Sequence, residues 1–380
     1  MQLAVAADHI FDGNTVRENA AVVIAGTCLD CVAHQSDLPP GIPVHRLPAG
    51  VWLAPGFIDT QVNVGGDVLF NDDPSPRGIA AIAAAHGRFG TTALLPTLLS
   101  DTREKMRAAR DAVQAVASTD PSVIGLHYEG PFLSRDKCGV HDPGMIRRPN
   151  LDDAEALAPI RNGVTMVTLA PEEVPRGFIA QLTGVGVRVS LGHSMATYAR
   201  TRAALSEGLT GFTHLFNAMR PMESREPGPI GAALEDPRAF FGIIVDGEHV
   251  ARAMLRLALR GIGNPMLVTD AMPPVGGSRT EFTLCGRPIA VLDGRCTTQD
   301  GTLAGSVLDM ASAVPNSARL LGLPLAKALR LASVTPASFL GVDNWLGYLA
   351  PGYRADMVAL DPETVEVLAT WVAGTLTATA

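Results

Sequence analysis

Eight short apolar segments recur along the middle of the chain, and each is followed by a stretch of helical or loop character. They span residues 51–59, 92–96, 123–129, 164–169, 187–192, 211–215, 240–245 and 266–270. Several are too short to be helices and lack clean polar–apolar alternation, which is typical of parallel strands that are buried on both faces. Strand–helix units repeated over roughly 290 residues predict an α/β fold, a (β/α)8 TIM-like barrel with insertions.

A doubly wound open sheet is the structural alternative to a barrel. Such a fold requires a glycine-rich phosphate loop after its first strand, and no G-x-G-x-x-G follows residues 51–59. Between the strands, residues 102–118 are predicted to form a helix with Asp101 or Thr102 as its N-cap. Residues 276–301 are predicted to form an inserted hairpin or sheet that takes no part in site chemistry.

The two ends of the chain differ from its middle because they show β-rich alternation with Gly, Pro and Asp at the turns. We therefore predict that residues 1–50 and 343–380 are the two parts of a small β-sandwich. Residues 51–342 are predicted to form the barrel, which is the catalytic domain.

Composition narrows the classes of partner. The chain has 380 residues, of which 47% are hydrophobic and 18% charged, and its net charge is -8. These values fit a soluble globular enzyme, and the absence of a Lys/Arg-rich block disfavours nucleic acid and anionic membranes as partners. The N-terminus lacks the basic segment of a signal peptide, and no run of about 18 apolar residues is available to span a bilayer.

The cysteines predict a reducing compartment. They are Cys28, Cys31, Cys138, Cys285 and Cys296. Because their number is odd and they are scattered, they form no disulfide framework, which predicts a cytoplasmic protein. Cys28 and Cys31 have the C-x-x-C spacing, but no second C-x-x-C and no histidine pair completes a zinc site, and we interpret them as ordinary core thiols.

The ends of the predicted strands carry groups that can do chemistry, and the active site of such a barrel lies at the carboxyl ends of its strands. Glu129 ends the third strand and Asp270 ends the eighth, while His193 and His214 follow the fifth and sixth. One carboxylate and two imidazoles suit a borderline divalent cation such as Zn²⁺, and three protein ligands leave a position for water. A cation lowers the pKa of bound water to about 7, and Asp270 would then act as general base and later as acid.

Each of these residues, taken alone, has a plainer interpretation. A single histidine at a strand end is commonly just a hydrogen-bonded polar residue, and a glutamate before Gly-Pro can simply accept backbone hydrogen bonds. The aspartate after the last strand can be an ordinary helix cap. Their joint placement at the ends of four different strands favours the metal site over these alternatives.

A series of motifs occurs along nearly the whole chain in a fixed order. They are PGFIDTQVNVGG, GLHYEGPFLS, KCGVHDP, SLGHSMATY, THLFNAM, REPGPIGAAL, GIIVDGEHV, LVTDAMPP and LAGSVLDM. With these motifs the chain resembles the amidohydrolase superfamily and, within it, the N-acetylglucosamine-6-phosphate deacetylase family. Some of the motifs are weak individually, but together they are highly specific.

The resemblance implies one divalent metal ion per subunit, held by Glu129, His193 and His214. Zn²⁺ is the first expectation, and Fe²⁺, Co²⁺ and Mn²⁺ are alternatives for the same ligands. Some members of the superfamily carry His-x-His after the first strand and can bind two ions, whereas this chain has Gln61 and Asn63 there. Because neutral amides are poor ligands for such ions but good hydrogen-bond partners, the second metal subsite is expected to be vacant.

The resemblance also assigns substrate contacts. His141 would bind the substrate and help polarise the acetyl carbonyl, and Arg225 would grip a phosphate group. The other residues expected at the substrate are Val140, Asn217, Ala218, Asp246, His249, Leu303, Ala304 and Gly305. In relatives the arginine reaches into the neighbouring subunit's site, which implies a homodimer. Taken alone, His141 could cap the following DPG turn, and Arg225 could pair with Glu223 or Glu226.

The activity implied by the resemblance is hydrolysis of the N-acetyl group of N-acetylglucosamine 6-phosphate in amino sugar catabolism. An N-acetylgalactosamine-6-phosphate deacetylase or another single-metal amidohydrolase is the nearest alternative. A nucleobase deaminase or dihydroorotase-like enzyme usually has more histidines at strand one or a lysine at strand four, which here reads VTMVTLAPEE. A non-catalytic binding or scaffold protein would be expected to lose the ligands or the base, and this chain keeps them.

Overall fold

A parallel barrel and a sheet built from both chain ends make up the fold, in a computed structural model that describes residues 2–150, 153–364 and 366–379. The strands are β1 (Gln2–Phe11), β2 (Val16–Ala25), β3 (Cys28–His34), β4 (Val44–Arg46), β5 (Trp52–Pro55), β6 (Phe57–Val62), β7 (Val64–Gly65), β8 (Val68–Leu69), β9 (Thr91–Leu99), β10 (Gly125–Glu129), β11 (Val164–Leu169), β12 (Arg188–Leu191), β13 (Gly211–Phe212), β14 (Phe240–Ile243), β15 (Asn264–Leu267), β16 (Glu281–Leu284), β17 (Arg287–Leu292), β18 (Arg295–Thr298), β19 (Leu303–Ser306), β20 (Met357–Leu360), β21 (Val367–Val372) and β22 (Thr375–Thr379).

Helices alternate with the strands through the middle of the chain. They are α1 (Pro76–Gly87), α2 (Arg103–Val116), α3 (Asp153–Ala156), α4 (Phe178–Gly184), α5 (Tyr198–Ser206), α6 (Gly228–Glu235), α7 (Arg252–Ala258), α8 (Met310–Leu321), α9 (Leu325–Ala332) and α10 (Val334–Leu340), with single 3-10 turns at Gln35–Asp37, Arg135–Lys137 and Pro171–Glu173. No helix within the described ranges combines the length and the apolar composition that crossing a bilayer requires. The predicted helix at residues 102–118 is α2, and the side chain of Thr102 caps it by accepting from the Lys105 amide at 3.3 Å.

Eight parallel strands pair in the order β15, β14, β13, β12, β11, β10, β9 and β6. Each of the predicted segments contributes one of them, so the (β/α)8 barrel is confirmed. The ring closes between β6 and β15, where the Asp270 amide donates to the Gln61 carbonyl at 3.1 Å and Val62 forms a parallel bridge with Ala271. This closure rules out the open doubly wound sheet.

The first predicted barrel segment divides at Gly56. Its front half, β5, pairs with β1 and β20, and the barrel itself begins at Phe57 rather than at residue 51. A side chain at position 56 would put its Cβ only 2.1 Å from Thr92 Oγ1, so glycine is required where the chain passes from one sheet into the other. The end-built sheet therefore continues beyond residue 50 to Pro55, while the division into separate domains at residues 50 and 342 stays a prediction.

The strands from both chain ends form one hydrogen-bonded sheet in the order β22, β21, β20, β5, β1, β2 and β3, with β4 beside β1. The predicted small β domain from both chain ends is thus confirmed. Its strands, which were expected to form a sandwich, are hydrogen-bonded into one continuous sheet. Leu53, Met357 and Trp371 share one of its apolar clusters, and Ala4 and Val23 belong to a second, smaller cluster. Both ends of the chain are therefore needed to complete this core.

The segment after the barrel's last strand forms the predicted insert. Strands β16 to β19 make a four-stranded antiparallel sheet, and β19 returns to the barrel through a bridge between Ser306 and Ala271. Beneath this sheet, Phe282 and Cys296 pack against Val140, which belongs to a loop at the carboxyl end of the barrel. The insert is thus anchored to the barrel at the end where the site is expected.

A layer of polar side chains crosses the barrel interior below its carboxyl end, where such barrels usually hold branched apolar residues. His127 Nε2 lies 2.7 Å from Thr168 Oγ1, which is 2.6 Å from Thr213 Oγ1. Ser190 Oγ lies 2.7 Å from Thr213 Oγ1, and His127 Nδ1 lies 3.2 Å from Thr97 Oγ1. Burial lowers the pKa of His127 to about 4, so the ring is neutral. These hydrogen bonds link five neighbouring strands, from β9 to β13.

All five cysteines are free thiols. Cys28 is exposed and Cys31 is half-buried, so the interpretation of the pair as core thiols is wrong for Cys28. The reason is the alternation of side chains along β3, in which Leu29 is buried while Cys28 and Asp30 on either side of it are exposed.

We expect His86 to make the folded state less stable below neutral pH. The ring is fully buried, Nε2 donates to the Val64 carbonyl at 2.8 Å, and burial lowers the pKa of His86 to about 4. Since the unfolded chain binds a proton near its ordinary pKa of about 6.5, stability is lost as the pH falls through that value toward the folded pKa. The loss from this residue should reach about 2 kcal/mol at a pH of about 5.

Chemical denaturation of wild type and of His86→Gln at about pH 7.5 and about pH 5 measures this contribution. The glutamine amide can still donate to Val64 but does not titrate, so the variant should lose about 2 kcal/mol less than wild type between the two pH values. The exposed His34 provides the control, because His34→Gln should follow wild type. Equal losses in wild type and His86→Gln would contradict the expectation.

Candidate metal and substrate site

Four ionisable residues from four strands meet at the carboxyl end of the barrel. Glu129 is the last residue of β10, His193 and His214 follow β12 and β13, and Asp270 follows β15. His193, His214 and Asp270 have positive φ values of 48°, 34° and 51°. Left-handed backbone is uncommon for residues other than glycine and concentrates at functional sites, where the surrounding structure holds it in place.

The donor atoms of Glu129, His193 and His214 meet at one point. Glu129 Oε1 lies 3.1 Å from His193 Nε2 and 3.1 Å from His214 Nε2. The two imidazole nitrogens are themselves 3.1 Å apart. All three residues are buried, and their candidate ligand atoms lie within 4.8 Å of one another. The sequence-predicted ligand set is therefore brought together in space.

The hydrogen bonds around these atoms fit a divalent cation. His193 Nδ1 lies 2.7 Å from the Lys137 carbonyl, which can only accept, so Nδ1 carries a proton. In a neutral ring, His193 Nε2 then presents a lone pair to the Glu129 carboxylate, which is also an acceptor. Two acceptors in contact require a positive charge between them, and an oxygen with two imidazole nitrogens suits a borderline divalent ion.

Electrostatics support the same assignment. Burial opposes the charge on Glu129, yet the neighbouring imidazoles of His193 and His214 hold its pKa well below the usual range. Burial also opposes the charge on His214, and the Glu129 carboxylate nevertheless raises its pKa. The pocket thus favours a carboxylate that faces positive charge, which is the state that a bound cation requires.

The amides of Gln61 and Asn63 lie against the carboxylates of the site. Gln61 Nε2 is 3.3 Å from both Glu129 carboxylate oxygens and 3.1 Å from Asp270 Oδ1. Asn63 Nδ2 donates to the same Asp270 oxygen at 2.7 Å. That Gln61 and Asn63 leave a second metal subsite vacant stays a prediction, but both amides serve here as hydrogen-bond donors.

Asp270 is placed as a proton acceptor. Both amide donors bind its Oδ1, and Oδ2 has no hydrogen-bond partner in the described part of the chain. Removal from water raises the pKa of Asp270, and the Glu129 carboxylate raises it further. A carboxylate with a raised pKa and one free oxygen is suited to general acid–base chemistry.

A cavity of about 310 Å³ adjoins these groups. Its walls include the predicted residues Glu129, Val140, His141, His193, His214, Asn217, Ala218, His249, Asp270, Leu303 and Gly305, and also Leu99, Asp136, Lys137, Gly139, Met272 and Thr302. This volume is at the small end of ligand pockets and suits a molecule of monosaccharide size.

His141 presents a hydrogen-bond donor at this cavity. The Ser100 amide donates to His141 Nδ1 at 3.3 Å, and the Ser100 hydroxyl lies 3.0 Å from the same nitrogen. Burial and the neighbouring His193 lower the pKa of His141 to about 3. The ring is therefore neutral with its proton on Nε2. Asp142, not His141, caps the following turn by accepting from the Gly144 amide at 2.8 Å.

Asp246 and His249 form a half-buried pair beside the cavity. His249 Nδ1 lies 2.5 Å from Asp246 Oδ2, and only His249 is on the cavity wall. Burial opposes the charge on Asp246, but the hydrogen bond from His249 holds its pKa below the usual range. Asp246 therefore orients His249 from behind, and Ala304 is likewise buried behind the wall residues Leu303 and Gly305.

Arg225 lies away from these groups. It is exposed on the loop before α6 and does not line the cavity. It forms no ion pair with Glu223 or Glu226 in the described ranges, and the Glu226 carboxylate instead accepts from the amides of Tyr198 and Gly228. In this structure Arg225 therefore does not contribute to the cavity of its own subunit.

Sequence reasoning missed several supporting groups. Lys137 orients His193 through its carbonyl and also lines the cavity, and its place four residues before His141 in the KCGVHDP motif could have indicated it. Ser100 and Thr302 carried no such signal, because neither belongs to a recognisable motif. Residues 276–301 contribute nothing to the wall, in agreement with their predicted separation from site chemistry.

Comparisons with known proteins agree with this geometry. The amidohydrolase family profile matches residues 52–377. An N-acetylgalactosamine-6-phosphate deacetylase from Shewanella sp. (strain ANA-3) is 44% identical over 339 residues, which are 88% of this chain and 85% of that protein. The crystal structure of N-acetylglucosamine-6-phosphate deacetylase from Pasteurella multocida has a TM-score of 0.96 at 33% identity and covers 100% of both chains.

A structure with bound ligand is also similar. It is a mutant of N-acetyl-D-glucosamine-6-phosphate deacetylase from Mycobacterium smegmatis in complex with N-acetyl-D-glucosamine-6-phosphate, with a TM-score of 0.91, 35% identity and 100% coverage of both chains. The family profile spans the whole barrel, including the strands that carry the Glu–His–His group. On this evidence, the chain belongs to the amidohydrolase family.

Proposed function

We propose that this protein hydrolyses the N-acetyl group of N-acetylglucosamine 6-phosphate and releases acetate and glucosamine 6-phosphate. The observation that carries the proposal is the free oxygen of Asp270 beside a buried Glu–His–His group in a cavity of monosaccharide size. The solved structures with 33% and 35% identity, which carry that substrate's name, support the choice of sugar. N-acetylgalactosamine 6-phosphate is the second candidate, because the relative with 44% identity is named for it.

In this proposal, Glu129, His193 and His214 would hold one divalent ion, with Zn²⁺ as the first choice for an oxygen and two imidazole nitrogens. An ion held there would acidify water and polarise an amide carbonyl. Fe²⁺, Co²⁺ and Mn²⁺ suit the same donors.

The chain's own residues would move the protons. Asp270 Oδ2 accepts a proton from the attacking water and later delivers it to the leaving amine nitrogen, while Gln61 and Asn63 keep the carboxylate oriented through Oδ1. The neutral His141 ring donates its Nε2 proton in a hydrogen bond to the acetyl oxygen as negative charge develops there. Val140, Leu303 and Gly305 would enclose the sugar, with Ala304 packed behind them.

The phosphate needs cationic and polar donors. Within one subunit, His249 and Lys137 line the cavity, and Asn217 and Ala218 lie on the same wall. Arg225, which lies outside the cavity of its own subunit, would reach the site of the neighbouring subunit in a homodimer. We also propose that the protein acts in the cytoplasm, since its cysteines are all free thiols.

Glu129→Gln should weaken metal binding strongly, because an amide oxygen replaces the charged ligand oxygen. We expect a loss in affinity greater than the roughly 10- to 100-fold that loss of an outer hydrogen-bond partner costs. Chelator competition followed by elemental analysis measures the affinity. Glu173→Gln is the control, because Glu173 pairs with Arg148 at the surface. Equal metal content in Glu129→Gln and wild type would remove Glu129 as a ligand.

Asp270→Asn should keep the metal and lower kcat by roughly 10²- to 10⁴-fold, because the amide cannot accept the proton from water. Acetate release from both epimeric sugar phosphates by metal-loaded protein is the measurement. Near-normal turnover in Asp270→Asn would exclude it as the base. Absence of acetate release by wild type from both sugars would overturn the proposed function.

Arg225→Ala should raise KM for the phosphorylated sugar and leave hydrolysis of unphosphorylated N-acetylglucosamine unchanged. Arg176→Ala is the control, because Arg176 is also exposed and lies outside the cavity wall. If the arginine acts across the dimer, mixing Arg225→Ala with Asp270→Asn should restore about one site in four to the wild-type KM. No recovery on mixing, in hybrids verified by mass, would contradict the contribution across subunits.

A further inference from the structure

The seam that closes the barrel has little backbone pairing. Neighbouring barrel strands elsewhere are joined by parallel ladders, whereas β6 and β15 are linked by the Val62–Ala271 bridge and by the Asp270 amide on the Gln61 carbonyl. Asp270 stands directly at this seam. Its position therefore depends on whatever else holds the end of β15 to β6.

A buried carboxylate supplies that connection. Asp59 is completely buried in β6, and its Oδ2 accepts a hydrogen bond from Thr269 Oγ1 at 2.5 Å. Its Oδ1 accepts hydrogen bonds from the backbone amide of Gln61 at 3.1 Å and from the backbone amide of Thr269 at 3.4 Å. One side chain thus binds the backbone of the first strand and both donors of the residue that precedes Asp270.

Such a carboxylate is costly in the interior of a barrel. Burial raises the pKa of Asp59 to about 7, against the opposing effect of the hydrogen bonds from Thr269 and Gln61. A branched apolar residue would fill the same position without this cost. Asp59 is also outside the cavity wall, so it is not placed to touch a substrate.

We propose that Asp59 and Thr269 form a clamp that positions Asp270 for proton transfer, an inference that rests on the proposed function. Asp270 is in left-handed backbone conformation with φ of 51°, which is uncommon for residues other than glycine and is maintained by the surrounding structure. The clamp holds Thr269 through its backbone amide and its hydroxyl, and it holds Gln61 through its backbone amide. It thereby sets the distance between Asp270 and the Gln61 side chain that orients it.

Thr269→Val tests the clamp with little change in shape, because it replaces only the hydroxyl group. We expect kcat for acetate release to fall about tenfold, with KM and metal content unchanged. Thr269→Ser keeps the hydroxyl and should restore kcat. Asp59→Ala removes every acceptor atom of the clamp and should lower kcat at least as much. The double variant should fall no further than Asp59→Ala, because Thr269→Val removes a hydrogen bond that Asp59→Ala has already broken.

Thr60→Val is the matched control. Thr60 follows Asp59 on β6 and is as buried as Thr269, but its hydroxyl has no partner in the described ranges. If buried hydroxyl loss alone lowered kcat, Thr60→Val would behave like Thr269→Val. Equal kcat losses in Thr60→Val and Thr269→Val, or additive losses in the double variant of Asp59→Ala and Thr269→Val, would overturn the clamp.

Amide hydrogen exchange separates the clamp from the proposed function. The backbone amide of Asp270 donates to the Gln61 carbonyl, so a peptide that contains Asp270 should exchange faster in Thr269→Val and Asp59→Ala than in wild type and Thr60→Val. If wild type releases no acetate, the proposed function fails, and this exchange difference still decides whether the clamp exists. Unchanged exchange, or faster exchange with unchanged kcat in an active enzyme, would refute the positioning role.

Discussion

Two imidazole nitrogens and one carboxylate oxygen meet within 3.1 Å in a buried part of the barrel, and this contact demands a positive charge. The Lys137 carbonyl adds to this requirement for positive charge, because it fixes the proton of His193 on Nδ1 and leaves Nε2 as an acceptor. The Gln61 amide then approaches the same carboxylate as a neutral donor. Glu129, His193 and His214 therefore form a buried group that could hold a metal ion.

Polar groups inside the barrel hold this arrangement in place. The hydroxyl and imidazole layer around His127 links five strands below the ligands, and the Asp59–Thr269 contact crosses the closing seam. Buried polar groups are stabilising only when their hydrogen bonds are satisfied, and these networks bring partners from different strands together. They also fall beneath or beside residues whose left-handed backbone needs support, His193, His214 and Asp270.

The remaining parts of the site come from segments outside the ring of strands. The loop of residues 134–142 supplies Lys137 and His141, and the returning strand β19 supplies Leu303 and Gly305. Arg225 stands outside the cavity altogether. The Glu–His–His group and Asp270 thus lie at strand ends, whereas much of the cavity wall is built on connections, a division common in barrels of this type.

The sequence by itself determined the eight strands, the helix at α2, the inserted sheet and the residues at the strand ends. These features were predictable because the local pattern of apolar residues indicates which segments are buried, and the order of the motifs indicates the family. Only the tertiary structure decided that β5 belongs to the end-built sheet, with the barrel beginning after Gly56, and that Asp246 lies behind His249. It also decided that Lys137 acts through its carbonyl and that Asp59 meets Thr269. The Asp246–His249 contact is local, since the two residues are three apart. The other contacts join residues that are distant in the chain or depend on backbone atoms, and closure of the barrel, which no local pattern encodes, brings them together.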